Sequence, residues 1–347
     1  MSSNEILEAL NLSKSYGKTG TVLGNRPISA VDDVTIRLRR GETVGLVGES
    51  GCGKTTLARI LVGLERPDHG SVLFEGQDVT SARGRRRKQL RRRVQMIFQD
   101  PYMSLDPRFT VEDIIAEPLI VHKLSNGRGE RLKQVGELLE RVGLDPGMMR
   151  RFPHEFSGGQ RQRIGIARAL ASQPEVIICD EPVSALDLSV QAQIVNLLSE
   201  LRRESNIALL FIAHDLSVVR HISDLIAVMY LGHIVEFGPV AKVYERPAHP
   251  YTQALLSAIP AVGPNVRGSL SRRVLLAGDP PSPSSPPTGC RFHTRCRLAS
   301  EVCSVERPAL LEPSLADDGG RLVACHHVTL AMASDPALPT GAGGSIG

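Results

Sequence analysis

The chain has 347 residues, of which 41% are hydrophobic, 22% charged and 4% aromatic, and its formal net charge is +4. This composition is ordinary for a globular protein, and so small a net charge selects no class of binding partner. The N-terminus lacks the cationic start and apolar stretch of a signal peptide, and no apolar run approaches the roughly 20 residues that span a bilayer. We therefore expect an intracellular chain that meets a membrane only through another protein.

Residues 1–258 alternate short apolar runs with helical patterns, which predicts an α/β domain with a mainly parallel sheet flanked by helices. The predicted strands are 44–47, 94–98, 176–179, 208–213 and 225–229. The predicted helices are 55–63, 129–142, 160–171, 190–204 and 216–221.

The first functional motif directly follows the predicted strand 44–47 and opens the predicted helix 55–63. It fits G-x-x-x-x-G-K-[ST] in full and consists of Gly48, Glu49, Ser50, Gly51, Cys52, Gly53, Lys54 and Thr55, with Thr56 beside it. Its glycines allow backbone N–H groups to surround phosphate oxygens at a helix N-terminus. We expect Lys54 to neutralise the β- and γ-phosphates and Thr55 to bind Mg²⁺, so the motif predicts ATP binding.

A strongly basic run follows, with eight basic residues among the eleven from Arg83 to Arg93. The simplest interpretation is a solvated helix face. Attraction to anionic membrane headgroups is an alternative. Nucleic-acid binding is a third, although no aromatic residues interleave to stack on bases, and we expect no nucleic-acid partner.

The predicted strand 176–179 leads into two acids, Asp180 and Glu181. A buried strand that ends beside a phosphate loop presents the first acid to the Mg²⁺ shell. The second acid is then placed to accept a proton from attacking water. A solvated carboxylate pair is the alternative, but the preceding phosphate motif favours function.

Phe156, Ser157, Gly158, Gly159 and Gln160 precede another helical pattern. A Ser-Gly-Gly turn at a helix N-terminus is a second anion-binding device, which one ATP does not need from one subunit. We therefore expect this turn to close over the ATP of a second subunit, and Ser157 can also cap its own helix.

The pattern breaks after Pro260. The Pro- and Ser-rich segment 277–289 cannot form a helix or a central strand, so residues 259–289 are predicted to be a linker. A cysteine-rich extension, 290–330, and a flexible tail, 331–347, follow.

The four cysteines of the extension suggest a [4Fe–4S] cluster, zinc or metal-free thiols, although their spacing departs from that of usual zinc sites; they are Cys290, Cys296, Cys303 and Cys325.

Residues 6–258 resemble the nucleotide-binding subunit of ABC transporters, with every motif in order. This resemblance implies an ABC-type P-loop domain with a RecA-like core, a β-subdomain and a helical subdomain. It implies that Tyr16 stacks on adenine, that Gln99 senses the γ-phosphate and joins the Mg²⁺ site, and that His214 contacts the γ-phosphate. Residues 157–160 match the signature, with Phe156 in place of the commoner Leu, and 184–187, ending in Asp187, match the loop between paired subunits.

Segments 95–108, 153–160, 180–198, 229–236 and 249–260 resemble the ATP-binding subunits of oligopeptide and dipeptide importers, most of all the second of two paired ATPases. This implies a peripheral protein at the cytoplasmic face of the inner membrane. Its implied partners are a homologous ATPase, two permeases, one of which contacts residues 100–118, and an extracytoplasmic binding protein. Relatives in this subfamily also serve nickel, glutathione and opine-like solutes.

Two other functions remain open from the sequence. One is a soluble ABC ATPase that acts on nucleic acid or ribosomes, although such proteins commonly carry two cassettes or a coiled-coil insertion. The other is a regulatory protein that does not hydrolyse ATP, which conflicts with the presence of Glu181 and His214. The single cassette without such an insertion, together with the intact catalytic positions, favours the importer.

Overall fold

A computed structural model describes residues 4–17, 27–99, 104–258, 276, 278–279, 281–313 and 319–333. Most of the predicted linker and tail lies outside these residues. The described residues 278–279 and 281–289 form neither helix nor strand. At the other boundary, Ala331–Ala333 end a helix in which Ala331 and Met332 are buried.

The described residues contain strands and helices that we number in chain order. The strands are β1 (Glu5–Tyr16), β2 (Ile28–Arg39), β3 (Thr43–Val47), β4 (His69–Phe74), β5 (Gln77–Asp78), β6 (Val94–Ile97), β7 (Val176–Asp180), β8 (Ala208–Ile212), β9 (Leu225–Tyr230), β10 (His233–Pro239) and β11 (Leu322–Val323). The helices are α1 (Lys54–Leu61), α2 (Gly84–Arg93), α3 (Val111–Val121), α4 (Arg128–Arg141), α5 (Gly158–Ala171), α6 (Leu188–Ser205), α7 (Leu216–Ile222), α8 (Val240–Glu245), α9 (Pro250–Ser257), α10 (Glu301–Val305) and α11 (Val328–Ala333).

The central sheet has seven strands in the order β11-β10-β9-β3-β8-β7-β6. Strands β9, β3, β8, β7 and β6 run parallel, and β10 and β11 are antiparallel additions at one edge. Every residue of β3, β7 and β8 is buried. Burial on both faces explains the continuous apolar runs, and the predicted strands and helices of the α/β core are confirmed.

A second sheet has the order β2-β1-β4-β5 and is antiparallel. It packs with α1 and α2 over one face of the central sheet, while the other face meets helices α3 to α9. Successive side chains of β8 point to opposite faces of the central sheet. Leu210 lies in the core shared with the second sheet, and Phe211 lies in the core on the other face. The two cores hold the carboxyl ends of the parallel strands in fixed register.

Helices α3, α4 and α5 pack together as a helical subdomain. Their shared core includes Ile115, Leu139 and Ile164, each completely buried. The fold therefore contains the RecA-like core, β-subdomain and helical subdomain implied by the ABC resemblance.

The cysteine-rich extension packs directly on the α/β core. Strand β11 pairs with β10 through Glu236↔Val323 and Phe237↔Leu322, so the end of the chain completes an edge of the central sheet. Arg321, only 1% exposed, donates to the carbonyl oxygens of Arg246 and Lys242, each at 2.7 Å. Sequence reasoning treated this segment as an appendage and missed the added strand.

Candidate functional site

The phosphate loop follows β3 and ends where α1 begins. A Cβ on Gly48 would lie 2.1 Å from the Met229 carbonyl oxygen, and one on Gly53 would lie 1.9 Å from that of Ala30. Both positions therefore exclude every side chain. Gly51 has a φ of +75° with open space around it, which favours glycine for conformational reasons and leaves its backbone accessible.

Lys54 occupies the interior of this loop. Its Nζ donates to the carbonyl oxygens of Gly48 at 2.8 Å and Glu49 at 3.0 Å, and the residue is 5% exposed. The loop therefore surrounds the ammonium group of Lys54, which the sequence analysis assigned to phosphate binding.

Thr55 and Asp180, two of the three proposed Mg²⁺ ligands, lie in contact although they are far apart in sequence. The Thr55 hydroxyl donates to Asp180 Oδ1 at 3.2 Å. Burial raises the pKa of Asp180, and the nearby Glu181 charge adds to that effect, while the Thr55 hydrogen bond opposes it. A divalent cation would satisfy this buried carboxylate, so the residues fit Mg²⁺.

Glu181 lies between the two residues that the ABC resemblance placed near the γ-phosphate. Its Oε2 accepts from Gln99 Nε2 at 2.8 Å, and its Oε1 contacts His214 Nε2. Gln99 follows β6 and His214 follows β8, so adjacent parallel strands bring them together around β7. Glu181 is 7% exposed and has a left-handed backbone with φ 49°. Such strain is concentrated at functional sites.

Tyr16 ends β1 and remains 38% exposed. Its hydroxyl donates to Glu65 at 2.6 Å and lies 3.5 Å from the Thr56 hydroxyl. Because Thr56 is on the first turn of α1, the ring lies close to the helix that begins in the phosphate loop. The stacking of this ring on adenine stays a prediction.

The signature turn and Asp187 make their polar contacts within their own segments. Ser157 caps α5 by accepting from the Gln160 N–H at 3.3 Å, and Gln160 Oε1 accepts from the Ser157 N–H at 3.0 Å. Asp187 caps α6 by accepting from the Val190 N–H at 2.9 Å. In the described residues these polar contacts are local. The prediction that Ser157 caps its own helix is confirmed, and Ser157 remains exposed.

A group that sequence reasoning missed surrounds Glu49. Arg295 Nη1 donates to both Glu49 carboxylate oxygens, at 3.0 and 3.1 Å, and the Glu49 N–H donates to the Tyr251 hydroxyl at 3.0 Å. The only sequence signals were an acid inside an anion-binding loop and an arginine-rich stretch 246 residues later. Nothing local connects them.

The four cysteines of the extension are free thiols in this structure. Burial raises the pKa of Cys325 to about 12, and the charges of Cys290, Cys296 and Cys303 add to the shift. The Cys290 N–H donates to the Cys303 carbonyl oxygen at 2.8 Å. Among the described residues, no three His, Cys, Asp or Glu side chains are arranged to hold one metal ion.

The basic run forms α2, and part of it is tied to the protein instead of being free in solvent. Arg87 and Arg91 donate to the Gly63 carbonyl oxygen at 3.2 and 3.3 Å, and Arg93 binds Glu75 and Glu175. The helix prediction is confirmed, and several of its cations have structural partners.

Comparisons with known proteins agree with this geometry. A family model described as "ABC transporter" matches residues 31–184, and one described as "Oligopeptide/dipeptide transporter, C-terminal region" matches residues 235–303. The chain is 54% identical over 301 residues to a putative oligopeptide transport ATP-binding protein, YkfD, of Bacillus subtilis, covering 87% of this chain and 90% of that one. It is 52% identical over 285 residues to the oligopeptide transport ATP-binding protein OppF of Salmonella typhimurium, covering 82% and 85%.

Among solved structures, a dimeric ATP-binding cassette, MJ0796, bound to ADP and Pi after hydrolysis, is 29% identical with a TM-score of 0.61. The match covers 68% of this chain and 99% of that one. The chain belongs to the ATP-binding proteins of the ABC oligopeptide/dipeptide transporter family. In the part of the chain that the structure describes, none of the helices has the length and apolar character needed to cross a bilayer.

Proposed function

We propose that this chain hydrolyses ATP to power the import of peptides across the cytoplasmic membrane. The observation that carries the proposal is the placement of Glu181 between Gln99 and His214, beside the Thr55–Asp180 pair. The relatives named for oligopeptide or di/tripeptide transport support peptides over nickel, glutathione or opines as the solute.

In this mechanism the phosphate loop and Lys54 bind the β- and γ-phosphates. Thr55 and Asp180, with Gln99, would hold Mg²⁺, which neutralises charge on the phosphates when bound. Glu181 accepts a proton from the attacking water, while Gln99 and His214 orient its carboxylate toward the γ-phosphate. Tyr16 stacks on the adenine.

We propose that the working unit is a pair of homologous ATPases. The turn of Ser157, Gly158, Gly159 and Gln160, of which Ser157 is exposed, would complete the ATP site of the partner, and Asp187 would lie at the same interface. The dimeric state of the solved relative supports this arrangement. Two ATP molecules would hold the pair closed, and hydrolysis would release it.

Permease docking is proposed near residues 100–118. Residues 100–103 lie outside the described part of the chain. Among the described residues, Phe98, Pro118, Val121 and His122 line an open groove. Phe98 is 38% and Val121 48% exposed, which suits an apolar partner segment. The proposed complex contains two permeases and an extracytoplasmic binding protein, and places this chain peripherally at the cytoplasmic face of the inner membrane.

We also propose a [4Fe–4S] cluster on Cys290, Cys296, Cys303 and Cys325. Their chemistry fits, because four thiolates are the usual ligand set. The sequence spacing of the four cysteines departs from the close pairing usual at zinc sites, which supports a cluster over a single zinc ion. The bound cluster would supply cross-links between segments of the extension. Iron and acid-labile sulfide in anaerobically purified protein would support it, whereas a colourless protein with stoichiometric zinc would refute it.

The main test is gentle solubilisation of host membranes that contain the tagged chain, followed by mass spectrometry of the proteins that purify with it. Two multi-spanning permeases and a second ATPase are expected. Recovery of ribosomal or DNA-repair proteins without any membrane protein would overturn the importer and leave the ATPase chemistry intact.

A further inference from the structure

The phosphate loop contains a carboxylate at an unfavourable place. Glu49 directly follows Gly48 in a loop whose N–H groups and Lys54 attract phosphate, so an unpaired negative charge there would repel the nucleotide. Its side chain is 26% exposed. The loop therefore needs a partner for this charge.

The cysteine-rich extension supplies that partner. Arg295 lies one residue before Cys296, and its side chain is only 8% exposed. One nitrogen, Nη1, contacts both Glu49 oxygens at 3.0 and 3.1 Å and lies 3.5 Å from the Tyr230 hydroxyl. Limited solvent access weakens screening, so the pair retains more of its attraction than a surface ion pair would.

A rigid aromatic cluster holds this arginine against the loop. Phe292 of the extension packs against Tyr230 at 5.3 Å between ring centroids and against Tyr251 at 5.4 Å. All three rings are at most 2% exposed. Tyr251 also accepts the hydrogen bond from the Glu49 N–H, so main chain and side chain of Glu49 are held from the same cluster.

We propose that Arg295 is a positioning residue for ATP binding, acting from the extension through Glu49. It neutralises the carboxylate and keeps the first turn of the phosphate loop open for the β- and γ-phosphates. This inference rests on the proposed nucleotide site. It gives the extension a direct role in nucleotide affinity, separate from any metal that its cysteines bind.

The test measures binding of mant-ATP with Mg²⁺ to the full chain and the kcat and KM of its ATPase. Arg295→Met should weaken mant-ATP binding about tenfold and raise KM in parallel, with a smaller change in kcat, because the loop is affected before chemistry. Arg295→Lys, which retains the charge, should recover to within about threefold of the unmodified protein.

The double variant Arg295→Met/Glu49→Gln separates positioning from general structural support. Removing the bare carboxylate should return the Kd to within about threefold of the unmodified protein, which is a non-additive result. A merely structural arginine would leave the loss in place. An unchanged Kd for Arg295→Met, or a tenfold loss that persists in the double variant, overturns the proposal.

Arg297→Met is the matched control. Arg297 lies on the other side of Cys296 and donates to Gln253 Oε1 of α9 at 3.0 Å, not to Glu49. The Kd of this variant for mant-ATP should stay within about twofold of that of the unmodified protein. If Arg295→Met fails to fold, Arg295→Lys and the double variant still decide the question. Lys54→Met tests the proposed nucleotide site separately from the role of Arg295. Unchanged mant-ATP binding in that variant would refute the nucleotide site itself.

Discussion

The phosphate site and the cysteine-rich extension are built in different ways. At the phosphate site, main-chain turns at the carboxyl ends of parallel strands place Lys54, Asp180, Glu181 and His214. In the extension, the described helices and strand are short, and the contacts with the α/β core include several from arginine side chains. These are Arg291 to Asp32, Arg295 to Glu49, Arg307 to Asp32 and Arg321 to Glu236.

The difference indicates how each region should respond to substitution. Replacing a side chain that stands on a scaffold of buried strands can change ATP hydrolysis without much loss of stability. Substitution of a buried arginine that joins distant segments should instead lower the free energy of unfolding, with little direct effect on ATP hydrolysis. Arg295 is the contact that joins the two regions.

The largest expected effect tests the phosphate site. Glu181→Gln should lower ATP turnover about a thousandfold because the amide cannot accept the proton from water. Mg-ATP binding and the free energy of unfolding should change little, since Gln is nearly isosteric with Glu. Steady-state phosphate release and denaturant unfolding measure both quantities. Unchanged turnover would remove Glu181 from the role of base.

The second prediction tests the extension. Arg321 is 1% exposed and lies 3.9 Å from Glu236, which is fully buried. Arg321→Met should lower the free energy of unfolding by about 3 kcal/mol, because it leaves a buried carboxylate without its cation. Arg307→Met is the control: that side chain is 45% exposed, and its loss should cost under about 1 kcal/mol. Equal effects in urea unfolding would contradict the role of burial.

The third prediction concerns the junction between the regions. Burial lowers the pKa of His249 to about 3, and its Nδ1 accepts from the Tyr251 N–H at 3.0 Å. The unfolded chain binds a proton at this side chain near pH 6.5, whereas the folded chain does so only near pH 3. Stability should therefore fall as the pH drops, by about 1.4 kcal/mol between pH 7.5 and 5.5 from this group alone.

His249→Asn isolates that contribution, since Asn can still accept at the helix cap but does not titrate. The variant should show a correspondingly flatter dependence of unfolding free energy on pH over the same interval. An identical pH dependence in both proteins would show that His249 is not the titrating group.

The smallest expected effect returns to the ATP site. Tyr16→Ala should weaken mant-ATP binding about fivefold through the loss of base stacking. Tyr16→Phe should bind almost normally, because it keeps the ring and removes only the hydroxyl with its contacts to Glu65 and Thr56. Equal losses in both variants would assign the role to the hydroxyl instead of the ring.

The sequence was most informative where structure is local or fully buried. The parallel strands were predictable because burial on both faces makes them continuously apolar. Strands β1 and β2 were missed because they mix charged and apolar residues and contain register shifts. Helix α3 was missed, and it contains Pro118. The phosphate loop was visible as a motif, whereas its contact with Arg295 depends on tertiary packing across 246 positions.

The pairing of β11 with β10 also affects the order in which the protein can be completed. Synthesis proceeds from the N-terminus, so β10 emerges from the ribosome well before Leu322 and Val323 exist. Until then, the main-chain N–H and C=O groups on the outer side of β10 have no strand partner, and such an edge is open to pairing with other chains. Nearly the whole chain must therefore be translated before this side of the sheet is closed against aggregation.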